Sequence, residues 1–199
     1  MTRCIPAVLI VAILSSAAAA AELPSALSEA DLRAIVERAP ALPVDLDHGL
    51  AARLIDFVDF TDPDDPHEFR DQSTSRIVDG PAGRYRVTAP HRHAFFACRH
   101  RAAGPDTPML IVIEYPDDAD RVMSFMTHDS TRPGEPHLSF SLESGVYTGE
   151  PLPLTNRMQY FTFIAWSPDA WPAMIVANYG RTKGAAAASR MWVYAIDEP

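Results

Sequence analysis

The sequence predicts an all-β chain: an antiparallel two-sheet β-sandwich of jelly-roll type, with one short helix ahead of it and a signal peptide ahead of the helix. Three observations carry this. Short β-branched and aromatic runs recur beyond position 75, clusters of glycine, proline and aspartate separate them, and the helical crossovers that parallel strands need are missing. Antiparallel pairing in two stacked layers follows. A jelly roll manages its edges by folding one sheet onto another, and an immunoglobulin-like sandwich is the competing arrangement.

Residues 1–21 read as a cleavable secretory leader. Met1 to Arg3 is a short positive start, Ile5 to Leu14 is apolar, and Ser15 to Ala21 is rich in small residues, which places cleavage near Ala20 or Ala21. The apolar run is about half the ~20 residues a membrane span needs, so the mature chain is expected to be periplasmic or secreted and not inserted in a membrane. Residues 22–48 form a helical N-terminal segment. Ser28 and Asp31 make a capping pair, Leu27, Leu32, Ile35 and Val36 have helical spacing, and Pro40 ends the pattern.

The sandwich occupies residues 49–199. Leu54 to Phe60 mixes apolar and acidic residues without deciding between helix and strand, and residues 61–68 (TDPDDPHE) form a loop. Arg76–Val78 and Arg84–Thr88 are short strands around glycine turns, and His93–His100 is the next. Met109–Tyr115 is an apolar strand buried on both faces. Pro116 and Asp117, Asp118 and Asp120 turn the chain into Arg121–Thr127 as a hairpin partner. Leu138–Leu142 alternates as a half-buried strand, and residues 145–149 (GVYTG) form a turn or short strand. Met158–Trp166, Ala173–Tyr179 and Ser189–Ile196 close the series.

Seventeen basic residues against 26 acidic ones give a formal charge of −9. Such a chain repels phosphate backbones and anionic lipid, which leaves neutral or cationic partners and excludes nucleic acid. Beyond Cys4 of the leader, Cys98 is the only cysteine, so no internal disulfide can form and stability must come from burial. Cys98 itself reads as a small core residue.

The succession HAFFACRH, LIVIEYPDDADRVMSF, GVYTG, PAMIVANYG and RMWVYAI resembles the galactose-binding-like β-sandwich modules of large secreted bacterial proteins, over residues 76–196. The resemblance implies a jelly roll and polysaccharide-related binding.

Sugar recognition on a sandwich needs flat apolar side chains for the C–H face of a pyranose and a few fixed polar groups at the rim. Trp171, Tyr147 and Tyr179 are the stacking candidates, and Asn178, Arg121, Asp117 and Asp118 the polar ones. Trp171 lies between prolines in a loop, while Trp166 and Trp192 fall within strand runs and are read first as core. The expected function is noncatalytic binding of carbohydrate or another neutral envelope component. Two alternatives compete with it. A metal-dependent enzyme would use His91 and His93, two apart on one strand face, and an envelope adaptor would meet a protein partner instead. No cofactor is required, although the acidic clusters Asp62, Asp64, Asp65 and Asp117, Asp118, Asp120 make calcium a candidate ligand. Glu114 and Glu143 form a glycosidase-like pair only if the fold brings them together. No Gly-x-Ser-x-Gly elbow and no phosphate-cradling loop is present, so no catalytic residue is assigned.

Overall fold

The computed structural model describes residues 27–42, 51–67, 69–71, 75–105, 107–128, 141–167, 170–178 and 184–196, without the side chains of 141–143. The expected leader, Tyr179 and residues 138–140 lie outside these. The order is α1 (Glu29–Arg38), β1 (Ala52–Asp59), β2 (Phe69–Asp71), β3 (Arg76–Gly80), β4 (Gly83–Val87), β5 (Phe95–Arg99), β6 (Met109–Pro116), β7 (Arg121–His128), β8 (Ser141–Thr148), β9 (Met158–Ala165), β10 (Ala173–Asn178), β11 (Ala187–Ala188) and β12 (Arg190–Ile196).

Two antiparallel sheets stack as an all-β sandwich. One runs β1-β12-β6-β9 and the other β2-β5-β10-β7-β8, while β11-β4-β3 forms a small third sheet. Strand faces alternate, so Ile111, Ile113, Met191 and Val193 from the first sheet meet Phe96, Met123, Phe125, Met174 and Val176 from the second, all buried. From Met109 to Ile113, β6 is apolar on both faces because both are covered. Its other face, with Leu110 and Val112, packs with Trp192, Phe57 and Ile35 of α1.

The helix forms where its cap predicts. The Ser28 hydroxyl accepts the Asp31 N–H at 3.2 Å, and the Asp31 carboxylate accepts the Ser28 N–H at 3.3 Å. Leu32 and Ile35 are buried one turn apart against the sheet, each burial favouring docking by roughly 1.5–3 kcal/mol. The indole N–H of Trp192 donates to the Pro40 carbonyl at 3.1 Å, which fastens the segment after the helix over the same strands.

Three expectations are corrected. β6 and β7 are not hairpin partners: β6 pairs with β12 and β9, and β7 with β10 and β8, so the Asp-rich turn carries the chain from one sheet to the other. The expected strand His93–His100 shrinks to β5, because His93 adopts φ 66 and belongs to a turn. The run GVYTG is not a separate element but the end of β8, where Gly145 sits so close to the Met123 carbonyl that a Cβ would collide with it.

The loop after β1 is held by buried charge. A register shift between Leu54 and Asp56 turns the Asp56 side chain inward. His67 lies between two carboxylates, with Nε2 3.1 Å from Asp56 Oδ1 and Nδ1 2.7 Å from Asp65 Oδ1, and all three side chains are sealed from solvent. The remaining carboxylate lone pairs accept backbone N–H groups of Phe57, Asp59, His67 and Arg101 at 2.7–2.9 Å. Burial alone would lower the His67 pKa, but the bonds to Asp56 and Asp65 outweigh it and push the group up to about 9. Burial raises Asp56 in turn, yet His67 and the Arg101 N–H pull it below the usual carboxylate value. A raised histidine pKa stabilises fully below about 6.5 and loses that contribution as pH climbs through 9; a lowered aspartate stabilises above about 4 and loses it in acid. Urea unfolding should therefore show maximal stability between about pH 4 and 6.5 and a loss of about 3 kcal/mol by the alkaline end. His67→Gln should be less stable and should flatten that alkaline decline.

Candidate functional site

Most of the sequence-derived polar candidates are brought to one end of the sandwich, where the β6–β7 turn, the β3–β4 hairpin and the segment after β8 converge. Their hydrogen bonds are made inside the protein. Asp117 accepts the Thr155 N–H at 2.9 Å and its hydroxyl at 2.7 Å. Asp118 Oδ1 pairs with Arg121 Nη2 at 2.7 Å, and its Oδ2 accepts the Tyr85 hydroxyl at 2.9 Å. Arg121 also donates to the Ala185 carbonyl at 2.7 Å and lies over the Tyr85 ring at 5.3 Å. Gly80 is required beneath this group, since a Cβ there would meet the Tyr85 ring and stand 2.8 Å from Asp118 Oδ2. Burial raises the Tyr85 pKa and the Asp118 bond raises it further, so Tyr85 stays a donor. Asn178, fully buried on the inner face, donates to the carbonyls of His91 and Gly184.

These groups build the floor of that end of the molecule. Asp118 and Arg121 are sealed, and removing one leaves a buried charge without its counter-ion. Arg121→Ala should cost roughly 3–5 kcal/mol in urea unfolding.

Aromatic side chains stand outside this floor. Tyr147 is 46% exposed on the outer face of the five-stranded sheet and donates its hydroxyl to the Glu150 carbonyl. Next to the Val122–Tyr147 pair the same face carries Ser124 opposite both Gly145 and Ala177, and Phe95 beyond; Gly145 is exposed, whereas Ser124 and Ala177 are buried. Trp171, half-buried, precedes β10 at the other end of this sheet, where Ala173 pairs with His128 and Arg99. Val122 and His128 are six residues apart along β7, so Tyr147 and Trp171 are separated by roughly 20 Å. The structure therefore groups Tyr147 with Asp117, Asp118, Arg121 and Asn178, and keeps Trp171 apart. Tyr179 lies outside the described residues.

Sequence reasoning ranked Trp166 behind Trp171 as a stacking candidate. Read first as core, Trp166 is 51% exposed just past β9, and Ile164 beside it is 43% exposed. The alternation Tyr160, Thr162, Ile164, Trp166 was the available signal, because the inner positions of this strand are already filled by Phe161 and Phe163. Trp192 is fully buried, as a core reading requires.

Other candidates fall differently. His91 and His93 occupy the turn before β5 rather than a strand, so the shared-face argument for a metal pair fails. Among the described residues no three of His, Cys, Asp and Glu converge as metal ligands. The acidic clusters spend oxygens on the chain itself: Asp62 accepts the Asp64 N–H at 2.9 Å, Asp65 binds His67, and Asp120 accepts the Glu150 N–H at 3.1 Å. Glu114 lies on the outer face of the four-stranded sheet, accepting the Tyr160 hydroxyl at 2.8 Å with Arg190 at 3.8 Å, whereas the backbone of Glu143 belongs to β8 of the other sheet. Burial raises the Cys98 thiol pKa well above normal, leaving it inert in the core.

Comparison with known proteins now places the fold. No family model matches the chain, and none of the curated proteins matches it in sequence. Among solved structures, the CBM22-1 xylan-binding domain of Paenibacillus barcinonensis Xyn10C superposes with a TM-score of 0.53 at 7% identity, covering 75% of this chain and 99% of that one. A family 35 carbohydrate-binding module from Clostridium thermocellum gives 0.44 at 12% identity over 70% of this chain and 98% of that one. The enzymatically active domain of bacteriophage CBA120 tailspike protein 4 gives 0.46 at 11% identity; the overlap covers 65% of this chain but only 19% of the tailspike. The superposition on the CBM22-1 domain shows the fold alone, an all-β sandwich. No helix among the described residues is long and apolar enough to cross a membrane.

Proposed function

We propose that this chain is an exported, noncatalytic module that binds a neutral carbohydrate on the outer face of its five-stranded sheet. The observation that carries the reading is the exposure of Tyr147, 46% open to solvent on that face beside the exposed Gly145. A pyranose presents an apolar C–H face that stacks on an aromatic ring, and the glycine beside Tyr147 leaves room for a sugar to reach it. Trp171 at the far end would meet the same chain several sugar units away. The net charge of −9 favours an uncharged ligand over an anionic one. Xylan is the first polymer to test, because the solved domain that this chain overlaps over its whole length is described as xylan-binding.

The buried Asp118–Arg121–Tyr85 group supports the site from below. It holds β7 and the β3–β4 hairpin in place, so that the Val122–Tyr147 pair is presented on a rigid edge.

Affinity electrophoresis of the purified chain in gels containing soluble xylan should show retardation. Tyr147→Ala and Trp171→Ala should each weaken it about tenfold, the equivalent of ~1.4 kcal/mol, without a change in melting temperature. A double variant retarded as strongly as the unaltered chain would remove this face from the site.

A further inference from the structure

Four strands end the two main sheets, and three of them are blunted. β1 carries Arg53 and an irregularity at Leu54/Asp56 and lies against α1. β2 has only three residues. β8 carries Glu143 and Gly145. These are the devices by which natural sheets avoid pairing with another chain: charge, brevity, bulging and cover. β9 has none of them. Its eight residues, MQYFTFIA, contain no charge, no proline and no glycine, and its register with β6 runs unbroken from Met158 to Ala165. Every other strand of five residues or more contains a charged side chain or histidine except β10, which is enclosed between β5 and β7.

The side chains agree with the backbone. Thr162, Ile164 and Trp166 are exposed on the outer face, and Phe161 and Phe163 are only partly buried at the open margin of the core.

We propose that β9 is a self-association edge, on which a second copy of this chain pairs antiparallel about a two-fold axis at Thr162 and joins two four-stranded sheets into one of eight. The occupant is a second copy for two reasons. A strand paired with itself across a two-fold axis is self-complementary. Here that register sets Ile164 opposite the partner's Tyr160 and Phe161 opposite the partner's Phe163, with Thr162 facing the partner's Thr162 and Gln159 the partner's Ala165, so every cross-strand pair is uncharged. Charge is the second reason. Two bodies of charge −9 repel at long range, and among the described residues β9 is the one edge strand of the two main sheets without a charged side chain, so two copies can meet there with no like charges facing each other.

Size-exclusion chromatography with light scattering, from about 1 µM to about 1 mM chain and without carbohydrate, tests this. The unaltered chain should pass from monomer to dimer. Ile164→Lys places two charges in the dimer seam and should raise the dissociation constant about 100-fold with an unchanged circular dichroism spectrum. Thr162→Lys, at a solvent-facing position, does the same should Ile164→Lys disturb the fold. Thr162→Cys should yield a disulfide-linked dimer on mild oxidation, since residues facing each other across such a pair have Cα atoms about 4.5–5.5 Å apart, within disulfide reach, and Cys98 is buried. A chain that stays monomeric at 1 mM, a dimer indifferent to both lysines, or a dimer that Thr162→Cys does not cross-link overturns the proposal.

Discussion

A protonated imidazole locked between two carboxylates, away from water, is the constraint on which this sandwich rests. Asp56, His67 and Asp65 tie the inward-turned end of β1 to the loop that follows it, and Asp56 also accepts the Arg101 N–H just beyond β5. Cys98, the only cysteine among the described residues, is free and buried, so no disulfide fastens these segments. Burying three ionised groups is costly, and it is tolerated here because every carboxylate oxygen also accepts a backbone N–H. The opposite end of the molecule repeats the solution with other residues, Asp118, Arg121 and Tyr85, and again the charges are spent on positioning rather than on contact with solvent.

That double use of charge explains what could and could not be read from the chain. The strands were legible because burial imposes a period on them: Met109–Ile113 reads as apolar on both faces and is enclosed on both. The helix was legible because its cap is local, three residues from Ser28 to Asp31. TDPDDPHE was legible as a loop, but the burial of the Asp65 and His67 side chains was not, because their partner Asp56 comes from a strand eleven residues before the histidine and a bulge decides its direction. The candidate polar residues suffered the same way. Asp117, Asp118 and Arg121 look available in a turn sequence, and only the meeting of the β3–β4 hairpin with the β6–β7 turn reveals that Tyr85 and Ala185 claim two of them.

Pairing order was the least visible property. Adjacent runs such as β6 and β7 suggest a hairpin, but the turn between them is fastened by Asp117 to Thr155, close to the start of β9, and the chain leaves for the other sheet. The arrangement leaves two unlike exposures: an aromatic ring beside a glycine on one sheet, and an uncharged margin on the other.

The three indoles end up in three different surroundings: Trp192 enclosed and bonded to Pro40, Trp171 half covered, Trp166 largely open to solvent. The chain therefore contains its own optical reporters. Emission from Trp166 should be red-shifted and readily quenched by a soluble collider, while Trp192 emits from a dry interior and resists it. Events at the two sheets are then separable by colour, with Trp166 registering contact at the β9 margin and Trp171 registering occupation near the opposite sheet.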